Sequence, residues 1–475
     1  MSDKGDQIIR SFTDHFDDVQ KSIFEIDMTK SEVESIYLYE FVKTSYYGRS
    51  LRKIEASDGT NTESRFKLYN DKFDLLEFIN IRAKIPAVQV KSEFKDIIQI
   101  CWVNDLGINI IEEGKLKFGD KEISTIDNKY IYIHQQLFGN QNHKEFIQES
   151  IGNKPSLTQW NTFLHEDSVV CEQPWFYSRK HHTALPLYFC NQLSANHIYK
   201  FNTNIDKLLR MRRLNEDGVY EDIECDTKYI FVQDGITKLQ TPEMYGMYIK
   251  LSGDEVNAYK CMTRDNIFGD FYITDIVKCI SKNAEPFNKT ISVDLDCDGV
   301  VNTMIWFAEN ITATKNGVLN NYTTNSVDRT KGYNPIEWSS LKVGSLELFS
   351  KLSNDHTSRL LMRDFNNRPI HNGLNVWSFC SDINSTDSQV GVNLRDIKLN
   401  LSSYIRDTNP YLTTLDPDTG RTVKRNNKNE PSPEFDLYVY LIVCRKISFL
   451  TSPDKVDDKW IVETERPEFR ENINV

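Results

Sequence analysis

The sequence lacks most of the patterns by which enzymes and metalloproteins are recognised. Its nine cysteines are scattered and form no C-x-x-C pair, so neither a zinc site nor a disulfide framework is indicated. The histidines form no H-x-H or H-E-x-x-H pattern, and there is no Walker loop and no G-x-S-x-G turn. We therefore assign no catalytic, cofactor-binding or metal-ligating residue, and the unpaired cysteines favour a reducing compartment.

Long apolar runs and an excess of basic residues are also missing. No apolar run approaches the roughly 20 residues that a transmembrane helix needs, and the charged N-terminus is unlike a signal peptide. The formal net charge is −12, whereas phosphate binding needs concentrated Lys and Arg. A nucleic-acid groove is therefore not expected, and we interpret the short basic run Arg210 to Arg213 as part of a solvated linker.

Strand-forming residues are plentiful in a chain of 475 residues, which is long enough for two or three domains. Aromatic residues make up 12% of it, and Ile, Val and Thr are frequent. Between Phe73 and Ile85, Ile79, Ile81 and Ala83 alternate with polar residues, and Pro86 follows. This alternation predicts a half-buried strand that ends before the proline.

Other segments predict the order of the elements. The apolar spacing from Ile8 to Phe24 predicts an amphipathic helix in an N-terminal arm. Strand signals begin at Val33, continue through Ile98 to Leu137, and are followed by a short helical segment at Lys144 to Ile151. The charged segment Leu208 to Asp226 lacks an apolar period and is interpreted as an interdomain linker.

The second half repeats short strand signals separated by Gly, Asn and Asp turns. The predicted strands are Lys228 to Val232, Ile291 to Val301, Met304 to Phe307, Leu374 to Cys380, Ile397 to Leu401 and Phe435 to Phe449. Asp416 to Gly420 and Asn426 to Pro433 are expected to be exposed loops. The alternation of strand and helix that builds a doubly wound fold is missing, so two mostly-β domains of the sandwich or jelly-roll kind are expected.

The stretch from Gln173 to Asn202 combines an aromatic cluster, a polar turn and a strand-like end. An apolar run, Ala184 to Cys190, follows the turn, and His197, Tyr199 and Phe201 then fall on one side of a strand. From its residues alone, this stretch is consistent with a buried hairpin in any all-β domain. We expect His197 to be a satisfied strand residue and the pair His181-His182 to lie in an exposed turn.

The same stretch resembles a segment of the major capsid proteins of large nucleocytoplasmic DNA viruses, "Pro-Phe-Trp-Phe … Ala-Leu-Pro-Leu … His". Pro174 to Phe176, Ala184 to Leu187 and His197 occupy the corresponding places. Further segments resemble the family in its own order: Phe41 to Arg49, Trp102 to Ile111, Leu116 to Ile123, Ile131 to Leu137, Leu295 to Glu309, Gly373 to Cys380, Gly391 to Ile397 and Phe435 to Ile447. Asp120 departs from the family's Gly-Gly turn, and Asp298-Gly-Val departs from its Asn-His-Pro.

The resemblance implies an all-β double jelly roll, with two consecutive eight-stranded jelly rolls and short helices in the loops. We expect an N-terminal arm at residues 1–30, a first jelly roll at 31–215 and a second at 216–475. Three such chains would form a homotrimer of pseudo-hexagonal outline that tiles an icosahedral shell.

The function implied by the resemblance is that of a structural capsid protein of the virion, assembled in the host cytoplasm and not an enzyme. Its expected partners are neighbouring capsomers, minor capsid proteins and penton proteins, with an internal viral membrane nearby and no direct contact with nucleic acid. A minor capsid, penton or scaffold protein of the same fold is the alternative within this class.

Two hypotheses place the protein in other functional classes, a phosphohydrolase and a glycan-binding β-sandwich. Asp294 to Val301 contains a motif that resembles the nucleophile motif of haloacid-dehalogenase-type phosphohydrolases, with Asp296 as nucleophile and Asp298 as acid/base. The same residues imitate the start of an EF-hand, but Ile305 stands where a calcium loop needs Glu. A glycan-binding β-sandwich would need exposed aromatic residues on loops, and the sequence singles out none.

Overall fold

The computed structural model describes seventeen tracts and one single residue between Tyr47 and Glu465. They are residues 47–60, 63–69, 72–139, 143–178, 183–187, 194–216, 218–257, 270–281, 289–295, 300–365, 369, 373–380, 392–393, 399–405, 413–415, 422–424, 433–451 and 460–465. Several predicted features lie outside these residues: the N-terminal arm with its helix, His181 and His182, Asp296 and Asp298, and the two loops near residues 416–420 and 426–432.

Strands dominate the first half of the chain, and short helices interrupt them. In chain order the strands are β1 (Tyr47–Ile54), β2 (Ala56–Thr60), β3 (Glu63–Lys67), β4 (Leu75–Ile85), β5 (Val88–Val90), β6 (Ile98–Trp102), β7 (Ile111–Phe118), β8 (Lys121–Asp127), β9 (Phe163–Leu164), β10 (Asp167–Glu172), β11 (Leu185–Pro186), β12 (Ala195–Phe201), β13 (Leu209–Leu214), β14 (Tyr220–Ile223), β15 (Ile230–Val232) and β16 (Glu243–Leu251). The α-helices are α1 (Leu106–Asn109), α2 (Asn128–Leu137), α3 (Lys144–Ser150), α4 (Pro155–Thr158) and α5 (Ile205–Leu208), and short 3-10 helices also occur.

The second half continues in the same style. Its strands are β17 (Asp270–Ser281), β18 (Lys289–Leu295), β19 (Val300–Asn310), β20 (Ile336–Val343), β21 (Leu346–Ser353), β22 (Asn375–Ser378), β23 (Val392–Asn393), β24 (Leu399–Ile405), β25 (Thr413–Leu415), β26 (Thr422–Lys424), β27 (Phe435–Thr451) and β28 (Trp460–Glu465). One short α-helix, α6 (Ile311–Lys315), follows β19, and a π-helical turn spans His356–Leu360.

Two sheets build the first sandwich. One has the order β1-β16-β4-β10, with β11 also paired to β4, and the other has the order β2-β3-β12-β7-β8. Smaller sheets, β14-β13-β6 and β15-β5-β9, extend the structure. Apolar side chains from the two large sheets share one core, as expected when two sheets pack face to face.

The second sandwich also has two principal sheets. The first is β17-β27-β19-β22, to which β23 and β28 add, and the second is β18-β24-β20-β21. Every strand pairing in the described part of the chain is antiparallel (β1 with β16, β17 with β27, β18 with β24 and the others). The all-β class that the sequence predicts is therefore confirmed.

The alternation of apolar and polar residues explains which face of most strands is buried. In β4 the residues Ile79, Ile81, Ala83 and Ile85 are buried and the strand ends before Pro86, which confirms the prediction for this segment. The strand β19 is different, because all of its residues are buried. One face contacts the core between the two sheets of the second sandwich, and the other faces the first sandwich. Burial on both faces is usual for a central strand covered by two layers.

The prediction that Leu208 to Asp226 is an interdomain linker is wrong. It contains two strands, β13 and β14, and β13 pairs with β6 of the first half. Leu209 and Met211 are buried on one face of β13, while Arg210 and Arg212 lie on the other. The charged residues concealed this short alternation.

The boundary between the two jelly rolls is also affected by the strand pairing. The strand β16 lies between β1 and β4 in the first sandwich, although it follows the predicted boundary at residue 215. The strand β15 likewise pairs with β5. We therefore propose that the first jelly roll extends to Leu251 and that the second begins after it.

Three further segments differ from the predictions. The residues of α2 were expected to be a strand, but the Asp127 side chain accepts a hydrogen bond from the Tyr130 backbone N–H and caps a helix. The stretch Gln173 to Asn202 is consistent in sequence with a hairpin, but its two strands, β11 and β12, lie in different sheets. The predicted strand Ile291 to Val301 is two strands, β18 and β19, which also lie in different sheets.

Candidate functional site at the junction of the two sandwiches

A buried ion pair joins the two halves of the chain. Asp105, immediately before α1, is fully buried and is hydrogen-bonded by the Arg329 guanidinium, with Nη2 lying 3.2 Å from Oδ1. The side-chain amides of Asn153 and Asn320 also donate to this carboxylate, at 2.6 and 3.3 Å. Arg329 and Asn320 belong to the second half of the chain and Asn153 to the first, so the Asp105 carboxylate binds side chains from both halves.

Both members of this pair are held in their charged forms. Burial alone would raise the pKa of Asp105, but the positive charge and hydrogen bonds of Arg329 hold it below its ordinary value. Burial would lower the pKa of Arg329, and Asp105 more than offsets this effect. The guanidinium also lies 5.6 Å from the ring centroid of Tyr132. Removing one partner of such a pair leaves an uncompensated buried charge.

A second group of polar contacts between the two halves is centred on Asp127, at the start of α2. Besides capping the helix, Asp127 accepts a hydrogen bond from the Tyr440 hydroxyl at 2.8 Å. Lys278 forms an ion pair with the same carboxylate. Tyr440 and Lys278 lie on β27 and β17, so the residue that begins a helix in the first half also attaches it to the second.

Two more ion pairs cross or support the junction. Asp275 of β17 accepts a hydrogen bond from Ser124 of β8 at 2.9 Å and pairs with Arg445 of β27 at 2.7 Å. Burial raises the pKa of Asp275, and the charge of Arg445 opposes that rise. Lys129 of α2 forms an ion pair with the buried Glu309 of β19. These contacts fix β8 and α2 against the β17-β27-β19 sheet.

Aromatic rings from both halves fill the space between these polar groups. Tyr132 packs edge-to-face on Tyr322, with ring centroids 5.8 Å apart, and Tyr322 lies 4.0 Å from Phe307. Phe307 in turn stacks with Tyr438 and Tyr440 at 5.4 and 5.9 Å. The first core therefore continues without a break into one face of the second sandwich.

The basic run beside the junction is structured, contrary to the prediction of a solvated linker. Arg210 pairs with Asp222 at 2.8 Å. The Arg212 guanidinium lies 4.6 Å from the ring of Trp160 and 4.4 Å from that of Tyr220, and it donates to Gln99. The Arg212 guanidinium is therefore held by cation–π contacts with two aromatic rings. Both arginines line a cavity of about 790 Å³ that Arg329 also borders.

The aromatic stretch around Gln173 is buried inside the first sandwich. The Trp175 indole N–H donates to the Tyr199 hydroxyl at 2.9 Å, and this hydroxyl donates to Gln173 Oε1 at 3.3 Å. The Tyr177 hydroxyl lies 3.0 Å from His197 Nε2. Burial lowers the pKa of His197 to about 3, so the ring is neutral. His197 is therefore a packing residue of β12. The expectation of a satisfied ring is met only at Nε2, because the buried Nδ1 has no hydrogen-bond partner in the described part of the chain.

Known proteins resemble this chain in part of its sequence and in its fold. Residues 14–248, just under half of the chain, match a family model described as the major capsid protein N-terminus. Capsid protein 1 of Acanthamoeba polyphaga mimivirus is 23% identical over 130 residues, which are 25% of this chain and 22% of the relative. The major capsid protein of Trichoplusia ni ascovirus 2c is 23% identical over 171 residues, 35% of this chain and 34% of that protein.

Solved capsid structures cover most of this chain. The PBCV-1 virus capsid gives a TM-score of 0.62 at 13% identity, covering 86% of this chain and 97% of the other. The Faustovirus major capsid protein gives 0.65 at 8% identity, covering 91% and 94%. The chain has the fold of these double jelly-roll major capsid proteins. Its sequence matches span about a fifth and a third of the curated relatives' lengths.

These comparisons confirm the resemblance to the major capsid proteins and the double jelly-roll fold. The number of eight strands in each jelly roll stays a prediction.

The surroundings of the phosphohydrolase motif do not suit that chemistry. Asp296 and Asp298 lie outside the described residues, but the strands before and after them belong to different antiparallel sheets. A haloacid-dehalogenase-type site needs a parallel βαβ unit. Asp294 faces solvent on β18, where it accepts a hydrogen bond from Asn400 at 2.6 Å. It therefore acts as an ordinary residue of a strand.

Neither a metal centre nor a membrane helix emerges from the described residues. In the tracts between residues 47 and 465 that the structure describes, no three His, Cys, Asp or Glu side chains are grouped to hold a metal ion. Within the same tracts, no helix has the length and apolarity required to span a bilayer.

Sequence reasoning missed the residues that form the junction. Asp105 and Arg329 are 224 positions apart. Asp105 lies in the family-like segment Trp102 to Ile111, but nothing in that segment indicates Arg329 as its partner. Asp105 has a positive φ of 52°, a conformation that Asp and Asn adopt more readily than most other residues. Such a conformation leaves no distinct trace in a single sequence. Their pairing could be found only from a structure or from substitutions that vary together.

Proposed function

We propose that this protein is the major capsid protein of a large DNA virus and that it forms trimeric, pseudo-hexagonal capsomers which tile an icosahedral shell. The observation that supports this most directly is the buried junction, which joins two jelly rolls side by side. Two similar sandwiches per chain let three chains imitate six-fold symmetry. A lattice of such capsomers needs each chain to keep one shape, and a charged, aromatic and continuous interface favours that.

The partners follow from the same proposal. Neighbouring capsomers, minor capsid proteins and penton proteins would contact the trimer, an internal viral membrane would lie nearby, and assembly would take place in the host cytoplasm. The net charge of −12 suits a subunit that must stay soluble and avoid coating nucleic acid before assembly. We further propose that the protein has no enzymatic activity.

Electron microscopy of the purified full-length protein tests the proposal. We expect class averages of a particle with three-fold symmetry and a hexagonal outline. Particles with five-fold symmetry would point instead to a vertex protein. Single two-lobed particles that assemble only with a second viral protein would point to a minor capsid or scaffold role. Either of these two results would overturn the proposed role as the bulk capsomer.

A further inference from the structure

A cleft of about 400 Å³ lies beside β20 and β21 in the second sandwich, apart from the junction residues described above. Its walls include the aromatic residues Tyr333 and Trp338 and four charged residues: Glu337, Lys351, Asp355 and Arg359. Clefts of this size, with aromatic walls and a few polar groups, are typical of small-ligand sites. Neither the capsid fold nor the junction accounts for it.

Three unusual backbone features meet at this cleft. Lys351 has a positive φ of 47°, which is costly for a lysine. The pairing of β20 with β21 shifts register on both sides of Leu341, as in a β-bulge. The segment His356–Leu360, which contributes Arg359, is a π-helix. Bulges and π-helical turns are both frequent at functional sites, and here they border one cleft.

Of the two aromatic residues of the cleft, Tyr333 is exposed and Trp338 is partly buried. Tyr333 is 72% exposed. Trp338 stacks on Tyr404 on the outer face of the sheet, with centroids 5.5 Å apart and rings 5° from parallel. The Lys351 ammonium lies 5.5 Å from the Trp338 ring centroid. The cleft thus presents an exposed phenol ring beside an ordered aromatic pair.

The polar residues of the cleft are balanced in charge. Lys351 and Arg359 offset Glu337 and Asp355, and Asp355 pairs with Arg359 at 3.3 Å while both stay mostly exposed. The Asn354 side chain donates its N–H to the Ile336 carbonyl at 2.7 Å, which leaves its oxygen as an acceptor. Donors and acceptors are therefore both present without net charge. A phosphate or a nucleic acid would need an excess of positive charge.

We propose that this cleft binds a neutral oligosaccharide. The apolar C–H face of a sugar ring stacks on Tyr333, with Trp338 as the wall, and the sugar hydroxyls exchange hydrogen bonds with Asp355, Arg359 and Asn354. A glycan site of this kind would give the capsid protein a contact with a carbohydrate surface, in addition to its structural role. The inference rests on the cleft alone and does not require the protein to form trimers.

Saturation-transfer difference NMR on the full-length protein tests this inference. The probes are cellotetraose, chitotetraose, mannotetraose and N-acetyllactosamine at millimolar concentration. At least one is expected to receive saturation from the wild-type protein, and Tyr333→Ser should weaken its binding roughly fivefold by removing one aromatic contact. Tyr333 is exposed, so this variant should fold normally.

The matched control is Phe231→Ser, which removes another exposed aromatic residue, on β15 of the first sandwich. This variant should bind the sugar as the wild type does. The inference is overturned if none of the four probes binds, or if binding survives Tyr333→Ser unchanged. It is also overturned if Tyr333→Ser changes the solution mass and no sugar binds, since the cleft would then be a contact between copies of the chain.

Discussion

At the scale of single residues, the two halves depend on each other most directly through Asp105 and Arg329. The pair is buried, and each member is held in its charged form by the other. Asp105 lies in a segment that resembles the capsid family and Arg329 does not, and no local pattern links the two residues, so the sequence could not predict their pairing. What it did predict at this scale, the burial of Ile79 and His197, followed from local alternation.

Replacing Asp105 with Asn should strongly destabilise the protein. The substitution keeps the side chain's shape and suits the left-handed backbone, but it leaves the Arg329 charge buried without a counter-ion. We expect the free energy of unfolding to fall by about 3–5 kcal/mol. The control is Glu112→Gln, which breaks a largely exposed pair with Lys200 and should cost under about 1 kcal/mol. Chemical denaturation measures both, and equal losses would contradict the account.

His197 should make the protein less stable in acid. Its pKa is about 3 in the folded protein, below the value near 6.5 of an unfolded chain. Between these values the unfolded state binds more protons, so this contribution is complete above pH 6.5 and is lost as the pH falls towards 3. The loss is at most about 1.4 kcal/mol per pH unit.

The variant His197→Gln should remove this part of the acid sensitivity, whereas the exposed His165→Gln should leave it unchanged. The free energy of unfolding, measured from pH 7 to pH 4 at one protein concentration, gives both slopes. A slope for His197→Gln equal to that of the wild type would show that His197 is not buried in its neutral form.

At the scale of elements, strand alternation was predictable and the exceptions have physical causes. The run of β-branched and aromatic residues in α2 suggests a strand, yet the Asp127 cap and burial of Tyr130, Ile133 and Leu137 favour a helix. The sequence of β13 looks like a charged linker. It forms a strand because Arg212 packs on the rings of Trp160 and Tyr220, which lie elsewhere in the chain. Neighbours distant in sequence decide both cases, and a single sequence does not reveal them.

The pairing of β7 with β12 requires a glycine. Gly114 lies opposite Tyr199, and a Cβ added there would come within 2.6 Å of the tyrosine ring. Gly114→Ala should therefore destabilise the protein by roughly 1–3 kcal/mol. Gly48→Ala on β1 is the control, since nothing lies within 4 Å of its added Cβ. Thermal unfolding of both variants checks this, and an unchanged melting temperature for Gly114→Ala would refute the packing described for β12.

At the scale of the whole molecule, the β17-β27-β19 sheet is shared between two cores. One face packs within the second sandwich, and the other carries the aromatic rings and ion pairs of the junction. The sequence predicted two domains of similar style but not this shared sheet, because only the folded chain brings residues about 200 positions apart together. Each half therefore buries apolar surface of the other half at the junction.

The two jelly rolls should therefore unfold together. We expect differential scanning calorimetry of the wild-type protein to show one cooperative transition, because separating the halves exposes a continuous apolar and charged interface. Asp105→Asn should move this transition to lower temperature. Two well-separated transitions in the wild type would mean that the halves fold independently and that the junction adds little.

The solution mass of the purified full-length protein tests the central claim most directly. The chain has a mass of 55.4 kDa, and light scattering should give about 166 kDa, three times that value, for a closed cyclic trimer. This mass should be independent of protein concentration over the measured range. A stable species of 55.4 kDa at every concentration would contradict the claim that the protein forms capsomers by itself.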